Sequence, residues 1–204
     1  MGWLEGAVVV YLRATFDAGA VTPAIDPAAF ARFAPIEAAR ELATLVMIAA
    51  VGWLAGRSRL ERLAWAAVVF GVWDIVYYVT LNIAIAWPAS IVDWDVLFLV
   101  PAPWVGPVWA PVGVSLALIG FGLAAARHLR MGRPMLVTAR HVGAGLAAGG
   151  LVIVSFLLDA ERVMAGDTTP WTGWPIFWVG MGLATAASLG ALRGGLDREG
   201  PDPA

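Results

Sequence analysis

Acidic side chains interrupt two otherwise apolar stretches of this chain, and in both their spacing puts them on one helix face. In EAARELAT, residues 37–44, steps of three and four align Glu37, Arg40, Glu41 and Thr44 over two turns. In GVWDIVYYVTLN, residues 71–82, Asp74, Tyr77, Tyr78 and Asn82 climb one face of a second segment. Asp95 follows in the connection beyond it. Carboxylates in an apolar setting can exchange protons, hold a cation through oxygen, or pair with a guanidinium. Arg40 is the guanidinium at hand for Glu37, Glu41, Asp74 or Asp95. The expected binding site is therefore Glu37, Arg40, Glu41, Asp74, Tyr78, Asn82 and Asp95.

Simpler accounts compete with that one. A helix dipole favours acids in the first turn, which would make Glu37 and Glu41 a charged helix start. An acid in a transmembrane helix can also serve as glue between helices. Depth argues for more in the case of Asp74: it lies about 21 Å along its segment, near the bilayer midplane. An acid there costs about 2.5–3.5 kcal/mol, so its face must turn to the bundle interior.

Several chemistries are excluded or unsupported. The chain has no Cys, so thiol catalysis, thiolate metal sites and disulfides are absent. Its two histidines, His128 and His141, fall in or beside an Arg-rich connection, away from the acids. No Glu-x-x-His pair, H-E-x-x-H, G-x-S-x-G or P-loop occurs. No catalytic residue, metal or cofactor is assigned, and the net charge of -2 gives no attraction to nucleic acid.

The elements that must carry these side chains are membrane helices. Of 204 residues, 60% are hydrophobic and 14% charged, too few charges to coat a soluble domain of this size. Apolar segments of helix length fall at 3–16, 37–56, 61–86, 104–126, 142–158 and 175–192. The expected fold is an all-α polytopic membrane protein of about six transmembrane helices. Residues 1–194 form one helical bundle and 195–204 a disordered cytoplasmic tail. The first helix is short or irregular, since Glu5, Arg13 and Asp17 break its apolar run. Close packing of the last two helices is expected through Gly145-x-x-x-Gly149 and Gly180-x-x-x-Ala184, with Asp159 and Arg162 capping the fifth.

The fourth segment is longer than a span. Val96 to Ala126 is an uncharged run of 31 residues, about 46 Å as one helix. Pro101, Pro103, Pro107 and Pro111 forbid that. An extended or re-entrant entry is expected, with the helix restarting between Pro103 and Pro107. The nine residues PAPWVGPVW, 101–109, are similar to the proline- and tryptophan-rich segment of the translocator-protein family. That similarity lies at the fourth span rather than near the second and carries no residue roles to this chain.

All 13 basic residues are arginines, and nine of them gather in the connections near 57–62 and 127–140 and in the tail. By the positive-inside rule this predicts an inner-membrane protein with both termini cytoplasmic. The other side is acidic, and Trp87, Trp94, Trp104, Trp109, Trp171, Trp174 and Trp178 form a belt at its interface. The expected function is to bind or translocate a small molecule, proton or cation in an acidic, aromatic pocket open to the outer side. The alternatives are a non-catalytic subunit or assembly factor of a membrane complex, or an intramembrane enzyme using carboxylates on a lipid or isoprenoid. The expected partners are the bilayer, a small-molecule or ion ligand, and other membrane proteins.

Overall fold

A computed structural model describes residues 1–15, 27–99, 102–167 and 169–196. Asp17 and Asp26 and the last eight residues lie outside the described residues. Most of the chain is helical: α1 (Gly2–Thr15), α2 (Pro27–Ala55), α3 (Arg59–Ile85), α4 (Trp109–Arg130), α5 (Ala139–Leu157), α6 (Ala160–Met164) and α7 (Trp174–Leu196). Between α3 and α4 stands a hairpin of β1 (Trp94–Phe98) and β2 (Trp104–Pro107).

Five helical stretches are long and apolar enough to cross a membrane: Phe33–Ala55, Arg59–Ile85, Trp109–Arg130, Ala139–Met164 and Trp174–Gly194. This is the architecture of an all-α membrane protein. Large apolar side chains point outward along it, Leu54 at 84%, Ile83 at 81% and Leu146 at 74% exposure. In water such a surface would aggregate; against lipid tails it is solvated. α1, with 14 residues, reaches only about 21 Å and is shorter than a bilayer core.

Two boundaries differ from the sequence expectation. α2 begins at Pro27 and runs through Pro35, so Glu37 and Glu41 sit in the body of the helix, not in its first turn. A charged helix start therefore cannot explain them. α4 begins only at Trp109, because the residues before it are taken into the hairpin. Pro111 is then in the first helical turn, where a missing backbone donor costs nothing.

The proline-rich entry is thus a defined antiparallel pair, with Trp94 opposite Pro107, Asp95 opposite Gly106 and Val96 opposite Val105. Hydrogen bonds from the N–H of Val108 to Asp93 O and of Trp109 to Ile91 O carry the pairing to the start of α4. Gly106 lies against the Phe156 ring, where an added Cβ would come within 2.8 Å of Cδ1. That contact seats the hairpin on α5.

α3 is the hub, packed against α1, α2 and α4, while α5 packs chiefly on α7. Close approach of α3 and α4 depends on Gly71, whose Cβ would meet the Ser115 carbonyl at 2.5 Å. On α5 the expected packing glycines, Gly145 and Gly149, meet nothing within 4 Å. The face that meets α7 is one residue round the helix: Ala148 is buried, and Gly180 of α7 approaches its carbonyl and Val152. A shift of one residue turns a helical face by about 100°, enough to change which glycines are covered.

The tryptophans at the hairpin end divide into two groups. Trp87 and Trp171 are buried in packed clusters, whereas Trp174 and Trp178 are each 55% exposed. In one cluster Phe156 stacks on Trp171 at 5.5 Å and Trp109 meets Phe177 edge-on at 5.4 Å. These rings bolt α4, α5 and α7 together, so only part of the expected belt is interfacial.

Candidate functional site

A cavity of about 620 Å³ opens among the described residues, walled by α1 to α6 and the hairpin, with α7 contributing nothing. It follows α3 from Ala66 to Tyr78, a run of about 18 Å. Six of the seven expected site residues line it: Glu37, Arg40, Glu41, Asp74, Tyr78 and Asp95. The seventh, Asn82, does not. Its side chain donates to the Pro88 carbonyl at 2.8 Å and braces the turn after α3.

Arg40 is taken by glutamates rather than by either aspartate. Its guanidinium donates to Glu37 Oε2 at 2.9 and 2.6 Å and pairs with Glu5 of α1. Glu5 in turn accepts from the Thr44 hydroxyl at 3.2 Å, which ties α1 to α2. Glu41 accepts the Leu99 N–H on both oxygens, at 2.9 and 3.1 Å, and so anchors the end of β1.

Asp74 and Asp95 are compensated differently. The Ser115 hydroxyl donates to Asp74 Oδ2 at 2.8 Å, an arrangement made possible by the close passage of α4 at Gly71. The Tyr78 hydroxyl donates to Asp95 Oδ2 at 3.0 Å, joining α3 to the hairpin. Both carboxyls are at least nine-tenths buried, and among the described residues neither has an ion pair. Burial pushes the Asp95 carboxyl up to about 7, against the opposing pull of the Tyr78 hydrogen bond and the nearby Arg13 charge. Asp95 can therefore exchange a proton near neutrality.

Three further groups belong to the site and were not expected there. Glu5 and Arg13, which made the first segment look weak, lie with Val9 and Leu12 on one face of α1 and line the cavity. Their i, i+4, i+7, i+8 spacing was a readable signal of a single inward face. Arg13 rests over the Trp87 ring, 3.9 Å from its centroid. Ser115 carried no signal, since a lone serine in an apolar helix gains its role only from the register of α4 on α3.

Away from the charged end the wall becomes aromatic and then aliphatic. Phe70, Trp73, Phe98 and Trp104 make one contiguous group, with centroid separations of 5.4 to 6.4 Å. The indole N–H groups of Trp73 and Trp104 are sealed from solvent without an acceptor among the described residues. The carbon faces of these rings offer the cavity apolar surface. Ile48, Leu118, Val152 and Ile153 complete the deep part.

The arrangement can bind an organic molecule or pass protons between carboxyls. Among the described residues no three acids or histidines converge closely enough to hold a metal ion. His141 is occupied elsewhere, its Nδ1 lying 3.2 Å from the Thr138 N–H in a capping box at the start of α5. No known protein family, curated protein or solved structure matches the chain.

Proposed function

We propose that this chain is an integral inner-membrane protein that binds a small molecule or cation in a cavity open to the outer side, and that it translocates its ligand or protons in the manner of a transporter. The single observation that carries this reading is the convergence of Glu37, Arg40, Glu41, Asp74, Tyr78 and Asp95 on one cavity of about 620 Å³. Buried acids are costly in a membrane bundle, and a pocket that gathers several beside aromatic walls is the expected form of a ligand site.

In this reading α1 is a short sixth crossing, so both termini are cytoplasmic. The arginines at the α2–α3 and α4–α5 connections, Arg57 to Arg62 and Arg127 to Arg140, then lie inside, and the hairpin lies outside. The absence of cysteine makes the test clean. A membrane-impermeant thiol reagent is applied to the outer face of spheroplasts carrying Val114→Cys, in the cavity wall, or Leu146→Cys, on the exposed face of α5. Modification of the first and not the second is expected. Val114→Cys that reacts only after solubilisation would overturn the outward opening.

One observation favours a second reading, a subunit of a larger membrane complex. Gly143 and Gly150 of α5, seven residues apart on one exposed face, meet nothing within 4 Å, and such small-residue surfaces accept neighbouring helices. Purification in mild detergent would then recover a stoichiometric partner, and an isolated monomer retaining ligand would count against it.

A further inference from the structure

We propose that the ligand of this cavity is a lipophilic organic cation, an ammonium- or phosphonium-type centre carrying apolar substituents. The inference rests on the ligand-cavity reading above and adds the chemical class. It follows from charge, from what already neutralises each charge, and from the walls.

Five carboxylates line the cavity, Glu5, Glu37, Glu41, Asp74 and Asp95, against two guanidiniums, Arg13 and Arg40. Arg40 is held by Glu5 and Glu37. Arg13 lies on the Trp87 ring and its charge is felt at Asp95, but it forms no ion pair there among the described residues. Asp74 and Asp95 therefore face the cavity with a hydroxyl each and no cation at bonding distance among the described residues. A buried negative charge of this kind draws a counter-charge or a proton.

The walls decide what kind of cation fits. A small inorganic ion needs a shell of oxygens, and no three acids converge to supply one among the described residues. An anion would meet an excess of carboxylates. A neutral lipid would fill the apolar part but would require both aspartates to be held protonated. An organic cation satisfies both ends. Its charge is attracted by the two aspartates and by the faces of aromatic rings, as Arg13 already is by Trp87. Its apolar groups lie along Phe70, Trp73, Phe98 and Trp104 and the aliphatic wall beyond. The volume of about 620 Å³ is within the range of pockets that hold molecules of drug size.

The test uses tetraphenylphosphonium and tetraphenylborate, which match in size and shape and differ in the sign of the charge. Binding to the purified full chain in nanodiscs is measured by equilibrium dialysis. Saturable binding of the phosphonium is expected, without competition from the borate. Asp74→Asn with Asp95→Asn weakens it about tenfold or more, and Asp167→Asn, outside the cavity, leaves it unchanged. Where the double variant does not fold, the cavity acids are kept and the phosphonium is asked to slow thiol modification of Val114→Cys, with the borate as control. Equal behaviour of the two ions, equal binding to the folded double variant, or no phosphonium binding would overturn the inference. If Val114→Cys is open to the outside and yet neither ion binds, the ligand class falls and the cavity reading stands.

Discussion

Among the buried acids, two pairs are treated in opposite ways by the fold. Glu61 and Asp159 lie outside the cavity and are fully compensated. Glu61 accepts from Arg130 Nε at 2.7 Å and the Arg57 N–H at 2.9 Å. Asp159 accepts from the Thr172 N–H at 2.7 Å and its hydroxyl at 2.9 Å, with Arg162 at 3.1 Å. Asp74 and Asp95 are also buried, yet each accepts a single side-chain hydroxyl and neither has an arginine at bonding distance among the described residues, Arg13 reaching Asp95 only through its field. Burial of an acid is thus no signal by itself; the difference lies in what neutralises it. The first pair closes loops; in the proposed reading the second meets the ligand.

Replacing members of the two pairs should have the largest and most divergent effects. Asp159→Ala removes two donors' acceptor and an ion pair, and should cost about 2–3 kcal/mol in a thermal melt. Glu61→Ala should likewise lower the melting temperature. Asp74→Asn and Asp95→Asn, which keep an acceptor for Ser115 and Tyr78, should leave the melt unchanged or raise it while cation binding falls. A large loss of stability in both aspartate variants would merge the two pairs into one structural class.

Gly71→Ala tests how Asp74 acquires its donor. The new methyl would press on the Ser115 carbonyl, pushing α4 outward at a cost of about 1–3 kcal/mol. Binding should change with it, since Ser115 is moved from Asp74. A gain in stability would show that the close passage is not needed.

Asp95 makes stability depend on pH. Its carboxyl is held near 7 in the fold against about 4 in an unfolded chain. The folded state therefore binds more protons between these values, and stability should fall as pH rises from about 4 to about 7. Melting curves at pH 5 and pH 8 should show wild type losing more than Asp95→Asn over that interval. Identical pH dependence would remove Asp95 as a titrating group. The smallest effect is expected from Asn82→Ala, about 1 kcal/mol or less for a single exposed hydrogen bond, with binding unaltered.

Much of this arrangement was legible in the residues. Helical spacing placed Glu37, Arg40 and Glu41 together, and the apolar context of Asp74 marked it as inward-facing. Asn82 misled because its exposed side chain turns to the Pro88 carbonyl instead of the cavity, a partner that helical spacing does not reveal. The hairpin was hidden because prolines forbid a straight helix without saying what replaces it; the pairing of Trp94 with Pro107 depends on contacts with α5. Ser115 and the partner choice of Arg40 were illegible for a similar reason. Both depend on the relative register of separate helices, which Gly71 and the packing of α1 set and which no single segment encodes.

In the proposed reading the cavity is open and electronegative because, among the described residues, Asp74 and Asp95 have no cation at bonding distance. The most direct measurement of this is the rate at which Val114→Cys reacts with a cationic and an anionic thiol reagent of equal size. The cationic reagent should be faster by about tenfold or more, and the preference should collapse when both aspartates become asparagine. Equal rates for the two reagents in the parent variant would contradict it.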